Sequence, residues 1–102
     1  MKVHRWPPGR GEPTESGLRR TLEEGGFTVT RYVYPPGSYF PDHRHPVDKR
    51  DGVLSGRFRL RSGDQEVVLG PGDFAEVPAG CTHSAEVLGD EPVVSLDATR
   101  RA

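Results

Sequence analysis

Two histidines, His43 and His45, stand two residues apart in the segment "HRHPVDKRDGVLSG". Side chains at positions i and i+2 of a β-strand point to the same face, so both imidazoles can aim into one cavity. A third histidine, His83, follows a turn that contains Pro78 and Gly80. Three imidazoles that converge from two strands are a credible site for a divalent transition metal with open coordination positions.

The segments around these histidines are short and rich in turn residues. The chain of 102 residues contains 13 glycines and 10 prolines, which alternate with runs of Val, Phe, Tyr and Leu. This composition favours short strands over long helices. We predict eight strands, near residues 27–34, 38–44, 50–55, 56–62, 65–69, 73–77, 82–88 and 92–98. Short strands at regular spacing are typical of an all-β sandwich or barrel.

One short helix precedes the strands, in the segment "PTESGLRRTLEEGG". Thr14 can cap its N-terminus, Leu18 and Leu22 lie four residues apart on one face, and two glycines end it. We expect Trp6, upstream, to pack on the outside of the strands. A chain of this length predicts one domain, residues 1–102, with a core barrel at about 27–98 and an N-terminal arm and helix at 1–26.

Charge and cysteine content exclude several classes of partner. The formal net charge is −1, so no overall positive field attracts nucleic acid or an anionic membrane. No apolar stretch is long enough for a signal peptide or a membrane span. The single cysteine, Cys81, cannot form an internal disulfide and fits a reducing compartment. We therefore expect a cytoplasmic protein that binds neither nucleic acid nor membrane.

Two segments carry a resemblance to a known family. "GSYFPDHRHPVDKRDGVLSG" is similar to the first cupin motif, GxxxxxHxHxxxExxxxxxG, and "GDFAEVPAGCTHSAEV" is similar to the second, GxxxxxPxGxxHxxxN. The matching positions are Gly37, His43, His45 and Gly56 in the first motif, and Gly72, Pro78, Gly80 and His83 in the second. Two positions depart from the pattern: Lys49 replaces the glutamate and Val87 replaces the asparagine.

The resemblance to cupins implies a fold, an assembly and a cofactor. It implies a small double-stranded β-helix barrel of the jelly-roll type, here with one short N-terminal helix, and a homodimer. It also implies an internal site holding Fe, Mn, Zn or Ni, with His43, His45 and His83 as ligands and His83 presented across the barrel. The expected partner is a small organic molecule, which could be anionic.

Lys49 is the point at which the usual function of the family cannot be carried over. A protonated lysine has no lone pair and cannot bind a metal. It could pair with Asp48 or Asp51, become a base if burial deprotonates it, or belong to an anion-binding pocket that has lost its metal. We prefer pairing with Asp51, which lies at i+2 on the same face. Asp48 could replace the missing carboxylate ligand only if the strand bulges there.

Loss of the carboxylate would also change the charge of the site. Three neutral histidines leave the full +2 charge on a bound metal, which makes bound water more acidic and favours anionic substrates. Replacing Lys49 with Glu is therefore expected to tighten metal binding.

Other side chains are weaker candidates for chemistry. Lys49 and Tyr39 are the candidate catalytic residues. Tyr39 lies four residues before His43, so on a regular strand the two side chains would point to the same face. Arg31 could bind a substrate carboxylate if it faces inward. Cys81 is best interpreted as a small turn residue rather than a ligand or redox-active thiol.

Two function classes remain open from the sequence. One is an enzyme, either a metal-dependent dioxygenase or a small-molecule isomerase. Some thiol-oxidising cupin dioxygenases also lack the motif glutamate, which makes that chemistry a candidate by analogy. The other class is a non-catalytic barrel that binds or senses a small ligand, with or without metal.

Overall fold

The computed structural model describes residues 1–101, which form nine β-strands, one α-helix and one short 3-10 turn. The strands are β1 Lys2–His4, β2 Thr28–Tyr34, β3 Tyr39–His43, β4 Val47–Ser55, β5 Arg57–Ser62, β6 Gln65–Leu69, β7 Phe74–Val77, β8 His83–Leu88 and β9 Val93–Arg101. The helix α1 spans Glu15–Glu23, and the 3-10 turn spans Pro8–Arg10. The predicted all-β fold with one short N-terminal helix is confirmed.

The strands form two antiparallel sheets. The first sheet has the order β1-β7-β4-β9-β2 and the second has the order β3-β8-β5-β6. The inward faces of both sheets share a core of buried apolar side chains: Val53, Phe58, Leu60, Leu69, Ala75, Ala85, Val87 and Val93. This two-layer arrangement is a jelly-roll, and it leaves a cavity between the sheets at the end where the histidines lie.

Helix α1 covers the outer face of the first sheet. The Oγ1 atom of Thr14 accepts a hydrogen bond from the Gly17 amide, as expected of an N-cap. Leu18 and Leu22 are fully buried against Leu96 and its neighbours, so the predicted helix and its apolar face are confirmed. The strand β9 is therefore covered on one face by the helix, and its other face looks into the cavity.

The N-terminal arm is more structured than the sequence predicted. Residues 2–4 add the strand β1 to the edge of the first sheet by pairing with β7, and the prediction of eight strands missed it. Trp6 packs against the backbone of Gly72, where a Cβ atom would lie 2.5 Å from the Cβ of Trp6. The expectation that Trp6 packs outside the strands is confirmed.

The strand that carries His43 is shorter and less regular than predicted. β3 ends at His43, so Arg44 and His45 lie in the link to β4 instead of continuing the strand up to Pro46. The pairing of β3 with β8 also shifts register between Phe40 and His43. Such a bulge reverses the face on which later side chains lie.

Among residues 1–101, no helix is both long enough and apolar enough to cross a membrane.

Candidate metal centre

Three histidines meet at one end of the space between the sheets. His43, the last residue of β3, lies directly opposite His83, the first residue of β8, and their ring centroids are 4.3 Å apart. His45 completes the group from the link that follows β3, 4.8 Å from the His43 ring and 5.7 Å from the His83 ring. One ring nitrogen from each histidine lies within 4.8 Å of the other two. His83 therefore comes from the strand next to His43, not from across the barrel as expected.

Hydrogen bonds orient two of the three rings. The Nδ1 atom of His43 lies 2.7 Å from the carbonyl oxygen of Pro41, and the Nδ1 atom of His83 lies 3.0 Å from the carbonyl oxygen of Cys81. A carbonyl oxygen can only accept, so both Nδ1 atoms must carry the proton and donate it. This is the tautomer that, in the neutral ring, leaves the lone pair on Nε2, the form in which histidine binds a metal.

The third ring has a buried nitrogen without a partner. The Nε2 atom of His45 is buried and has no hydrogen-bond partner among the residues that the structure describes. An unsatisfied buried polar atom is costly unless something binds it. Burial, with a further contribution from Lys49, lowers the pKa of His45 and favours the neutral ring with a free lone pair. The donor set of three neutral imidazoles thus fits a divalent transition metal.

The histidines open into a cavity of about 390 Å³ between the two sheets. One part of its wall is aromatic, and another part is polar and comes from β4 and β9. The lining residues are Tyr32, Tyr34, Phe40, His43, His45, Lys49, Asp51, Phe58, His83, Ala85, Ser95, Asp97 and Thr99. This volume lies in the range of sites for small organic molecules.

Lys49 lies in the polar wall and forms two ion pairs. Its Nζ atom lies 2.7 Å from the Oδ2 atom of Asp97 and 3.4 Å from the Oδ1 atom of Asp51. Lys49 and Asp51 are buried, and the Asp97 side chain is 16% exposed. Asp51 and Asp97 are direct cross-strand partners on β4 and β9. We call Lys49, Asp51 and Asp97 the charged triad.

The charges of the triad depend on one another. Burial lowers the pKa of Lys49, but the nearby Asp51 and the hydrogen bond to Asp97 outweigh it, and the net shift is upward. Burial and the neighbouring Asp51 raise the pKa of Asp97, and the contact with Lys49 opposes that rise. The upward shift of the Lys49 pKa argues against the hypothesis that burial deprotonates this lysine and makes it a base.

Comparison with known proteins identifies the fold family. Residues 30–99 match the cupin domain family, which is more than half of the chain. The chain belongs to the cupin family. The resemblance of the two motifs is thereby confirmed.

Individual cupins show how far the similarity extends. Quercetin 2,3-dioxygenase from Bacillus subtilis is 36% identical over 62 residues, which cover 60% of this chain and 18% of the dioxygenase. The DMSP lyase DddQ from Ruegeria pomeroyi superposes with a TM-score of 0.65 and 29% identity, over 72% of this chain and 38% of the lyase. TT1209 from Thermus thermophilus superposes with a TM-score of 0.63 and 32% identity, over 70% and 69% of the two chains. This chain thus spans well under half of the dioxygenase and of the lyase.

The first cupin motif departs from its pattern only at Lys49, and the structure shows how the departure is accommodated. The predicted pair of Lys49 with Asp51 is confirmed. Asp48 points elsewhere: its Oδ1 atom accepts a hydrogen bond from the Ala79 amide and its Oδ2 atom lies 3.5 Å from Arg100. Asp48 is therefore not placed to replace the glutamate of the cupin motif.

Tyr39 does not share the inward face of His43. The bulge between Phe40 and His43 breaks the parity on which that expectation depended, so Phe40 lines the cavity and Tyr39 is 61% exposed. The expectation that Tyr39 shares the face of His43 is wrong. Lys49, in contrast, does line the cavity, and a catalytic role for it stays a prediction.

Arg31 and Cys81 lie outside the cavity wall. Arg31 points toward helix α1, and its Nε atom lies 3.2 Å from the Oε1 atom of Glu15. Cys81 sits in the turn before β8, with its Sγ atom 3.4 Å from the Oγ atom of Ser62. Arg31 therefore does not face inward, as binding of a substrate carboxylate would require, and the position of Cys81 agrees with its interpretation as a turn residue.

Asp97 is the charged cavity residue that sequence reasoning missed. A signal for Asp97 was present in β9, "VVSLDATRR", where Ser95, Asp97 and Thr99 alternate with the apolar Leu96 and Ala98. In an antiparallel sheet the same alternation is also typical of a strand with one solvated face, so the pattern places Asp97 opposite the apolar face but does not by itself predict a functional lining. Burial, with a contribution from Asp97, raises the pKa of Tyr34.

Proposed function

We propose that this cupin holds one divalent transition metal through His43, His45 and His83, and that the adjoining cavity takes a small organic molecule. The observation that carries the proposal is the convergence of three ring nitrogens within 4.8 Å, one of them buried without a partner. Iron, manganese, zinc and nickel all accept imidazole ligands, and the donor set does not select among them. A bound metal would supply Lewis-acid or redox chemistry at this end of the cavity.

The surrounding residues support the binding of a small molecule with an apolar body. Tyr34 lies 4.9 Å from Phe40 and 5.7 Å from Phe58, measured between ring centroids, and Tyr32 lies 6.0 Å from Tyr34. These rings offer flat apolar surfaces to a ligand, and the charged triad offers hydrogen-bonding groups. A ligand bound between them would lie with its apolar body against the rings and its polar groups toward the charged triad.

We propose that the protein is a metal-dependent dioxygenase, and this is the activity to test first. The dioxygenase among the similar proteins acts, by its name, on quercetin, and the similar lyase acts on DMSP. A small-molecule isomerase is the second enzymatic candidate. The competing proposal is a barrel that binds or senses a small ligand without metal, in which the histidines serve only as hydrogen-bonding groups.

Metal analysis separates these proposals. We expect the purified protein to contain close to one first-row transition metal per chain, and His83→Ala to lose it, because His83 is the most buried of the three histidines. The measurement is elemental analysis of both proteins at equal concentration, with circular dichroism as the check on folding. His4→Ala is the matched control, since His4 pairs with Glu76 outside the cavity. A well-folded protein with no metal, also after incubation with each metal, would refute the metal site.

A reaction test follows once metal is present. Oxygen consumption would be measured with a panel of small thiols, phenols and diketones, using His83→Ala as the metal-free control. Turnover that disappears with the metal supports a dioxygenase. Saturable ligand binding without oxygen uptake or product would instead support the sensing barrel.

We further propose that the protein is a homodimer and is located in the cytoplasm. The dimer is supported by exposed large apolar side chains on two strands at sheet edges, Tyr32 and Val33 on β2 and Tyr39 on β3. The location is supported by the single, free cysteine, and cell fractionation tests it.

A further inference from the structure

The cavity wall beside the histidines carries a buried charge imbalance. In the triad one ammonium, on Lys49, faces two carboxylates, on Asp51 and Asp97. Two carboxylates directly opposite each other on neighbouring strands repel, and burial strengthens that repulsion. The ammonium of Lys49 neutralises the charge of one carboxylate, so the wall carries one net negative charge.

Both signs of charge in the triad act on the histidine cluster: besides burial, the ammonium of Lys49 lowers the pKa of His45, and the carboxylate of Asp97 raises it by less. Lys49, Asp51 and Asp97 line the same cavity as His43, His45 and His83. A cation bound by three neutral histidines would therefore lie next to a wall with one net negative charge, although no carboxylate would touch it. A cupin with the usual glutamate places one negative charge on the metal directly.

We propose that the charged triad serves as the counter-charge of the metal site and replaces, without coordination, the charge of the motif glutamate. The inference rests on the proposed metal site. Under this proposal, loss of the glutamate does not leave the full +2 charge of the metal uncompensated, in contrast to the expectation from the sequence. The proposal also gives Lys49 a role as a positioning residue, because the lysine allows two carboxylates to stay together in a buried wall.

The inference predicts that metal affinity follows the net charge of the triad. Asp97→Asn makes the wall neutral and should weaken Zn²⁺ binding about 10–100-fold, the order of magnitude that Coulomb's law gives for one unit charge near a cation at an effective dielectric constant of about 20. Asp51→Asn should do the same. Lys49→Met makes the wall more negative and should tighten binding by a similar factor. The double variant Lys49→Met/Asp97→Asn restores one negative charge and should return to within a few-fold of wild type.

Two control variants isolate the effect. Asp48→Asn removes the same charge from the other face of β4, where Asp48 pairs with Ala79 and Arg100, and should change the affinity little. His83→Ala should abolish tight binding. Lys49→Glu is a poorer test than Lys49→Met, because it would crowd a third carboxylate against Asp51 and Asp97 and confuse affinity with unfolding.

The experiment is a titration of Zn²⁺ into metal-free protein in competition with a chromophoric chelator, at neutral pH, with folding checked by circular dichroism. If Lys49→Met does not fold, the Zn²⁺ affinities of Asp97→Asn and Asp51→Asn still test the inference. If wild type, Asp97→Asn and Asp51→Asn bind Zn²⁺ with equal affinity and His83→Ala does not bind it, the counter-charge role of the triad is refuted. The metal site itself would still be supported. A folded double variant as weak as Asp97→Asn would also refute the counter-charge role. No Zn²⁺ binding by wild type would refute the metal site and the inference together.

Discussion

Gly56 illustrates how single residues hold the strands in place around the site. It lies between β4 and β5 with a φ of +86°, and a Cβ atom there would lie 2.4 Å from the carbonyl oxygen of Pro92. The glycine is thus required twice, for the backbone conformation and for the close approach of another segment. The cupin motif has a glycine at this position, and the structure shows the neighbour that excludes a side chain.

A comparison of two glycines tests whether the close approach of Pro92 adds to the need for glycine at position 56. Gly26 also has a positive φ, +89°, but nothing lies within 4 Å of the position that a Cβ atom would take there. Gly26→Ala should lower the free energy of unfolding by about 1–3 kcal/mol through backbone strain alone. Gly56→Ala should cost at least about 1 kcal/mol more, because of the clash. Urea denaturation measures both, and equal losses would contradict the role given to Pro92.

At the scale of elements, the end of helix α1 is tied to the strand that carries Lys49. The Nη1 atom of Arg50 donates to the carbonyl oxygens of Thr21, Leu22 and Glu24, at 3.4, 3.3 and 2.7 Å. Its guanidinium lies 4.0 Å from the centre of the Phe27 ring. Arg50 thus satisfies carbonyls that a helix leaves free at its C-terminus and fixes α1 across β4.

We predict that Arg50→Lys lowers the free energy of unfolding by about 1–3 kcal/mol, because an ammonium cannot both stack on Phe27 and reach three carbonyls. Arg100→Lys is the matched control. Arg100 stacks on the same ring at 4.5 Å, but its side chain is 44% exposed and donates to a single carbonyl, that of Gly25. Arg100→Lys should therefore lower the free energy of unfolding by less than about 1 kcal/mol. Equal effects in thermal or urea denaturation would count against the capping role.

For the whole molecule, two of the four sheet-edge strands bear on the proposed dimer. β2 ends the first sheet and β3 ends the second, and both carry exposed apolar side chains. An open edge with apolar side chains is a template for pairing unless it is covered. A second copy of the chain is the partner that we propose.

The dimer proposal predicts the effect of one charge on the edge. Val33→Lys should convert the dimer to a monomer in sedimentation velocity, because Val33 is 53% exposed on β2 and a lysine there would be desolvated on pairing. Asp64→Lys, in the exposed turn between β5 and β6, introduces a lysine away from β2 and β3 and should leave the dimer intact. A wild-type monomer at all concentrations would refute the dimer itself.

The sequence by itself determined the features that depend on neighbours in the chain. Turn glycines, the capped helix and the spacing of the histidines follow local rules of backbone geometry. They predicted short strands in a sandwich or barrel and a cluster of histidines, and the resemblance to the cupin motifs implied the jelly-roll. The pairing of Lys49 with Asp51, two residues away, was predictable for the same reason. Strand β1 escaped prediction because three residues carry too little periodicity.

Only the tertiary structure decided what surrounds the histidines. Asp97 is 48 residues from Lys49 in the chain, and the register of β4 with β9 brings the two together. The bulge in β3 turns Tyr39 outward and Phe40 inward, and no local pattern predicts a bulge. Side-chain contacts between distant strands depend on register, which the packing of the whole barrel sets. For that reason the sequence located the histidines, and only the fold placed a charged wall beside them.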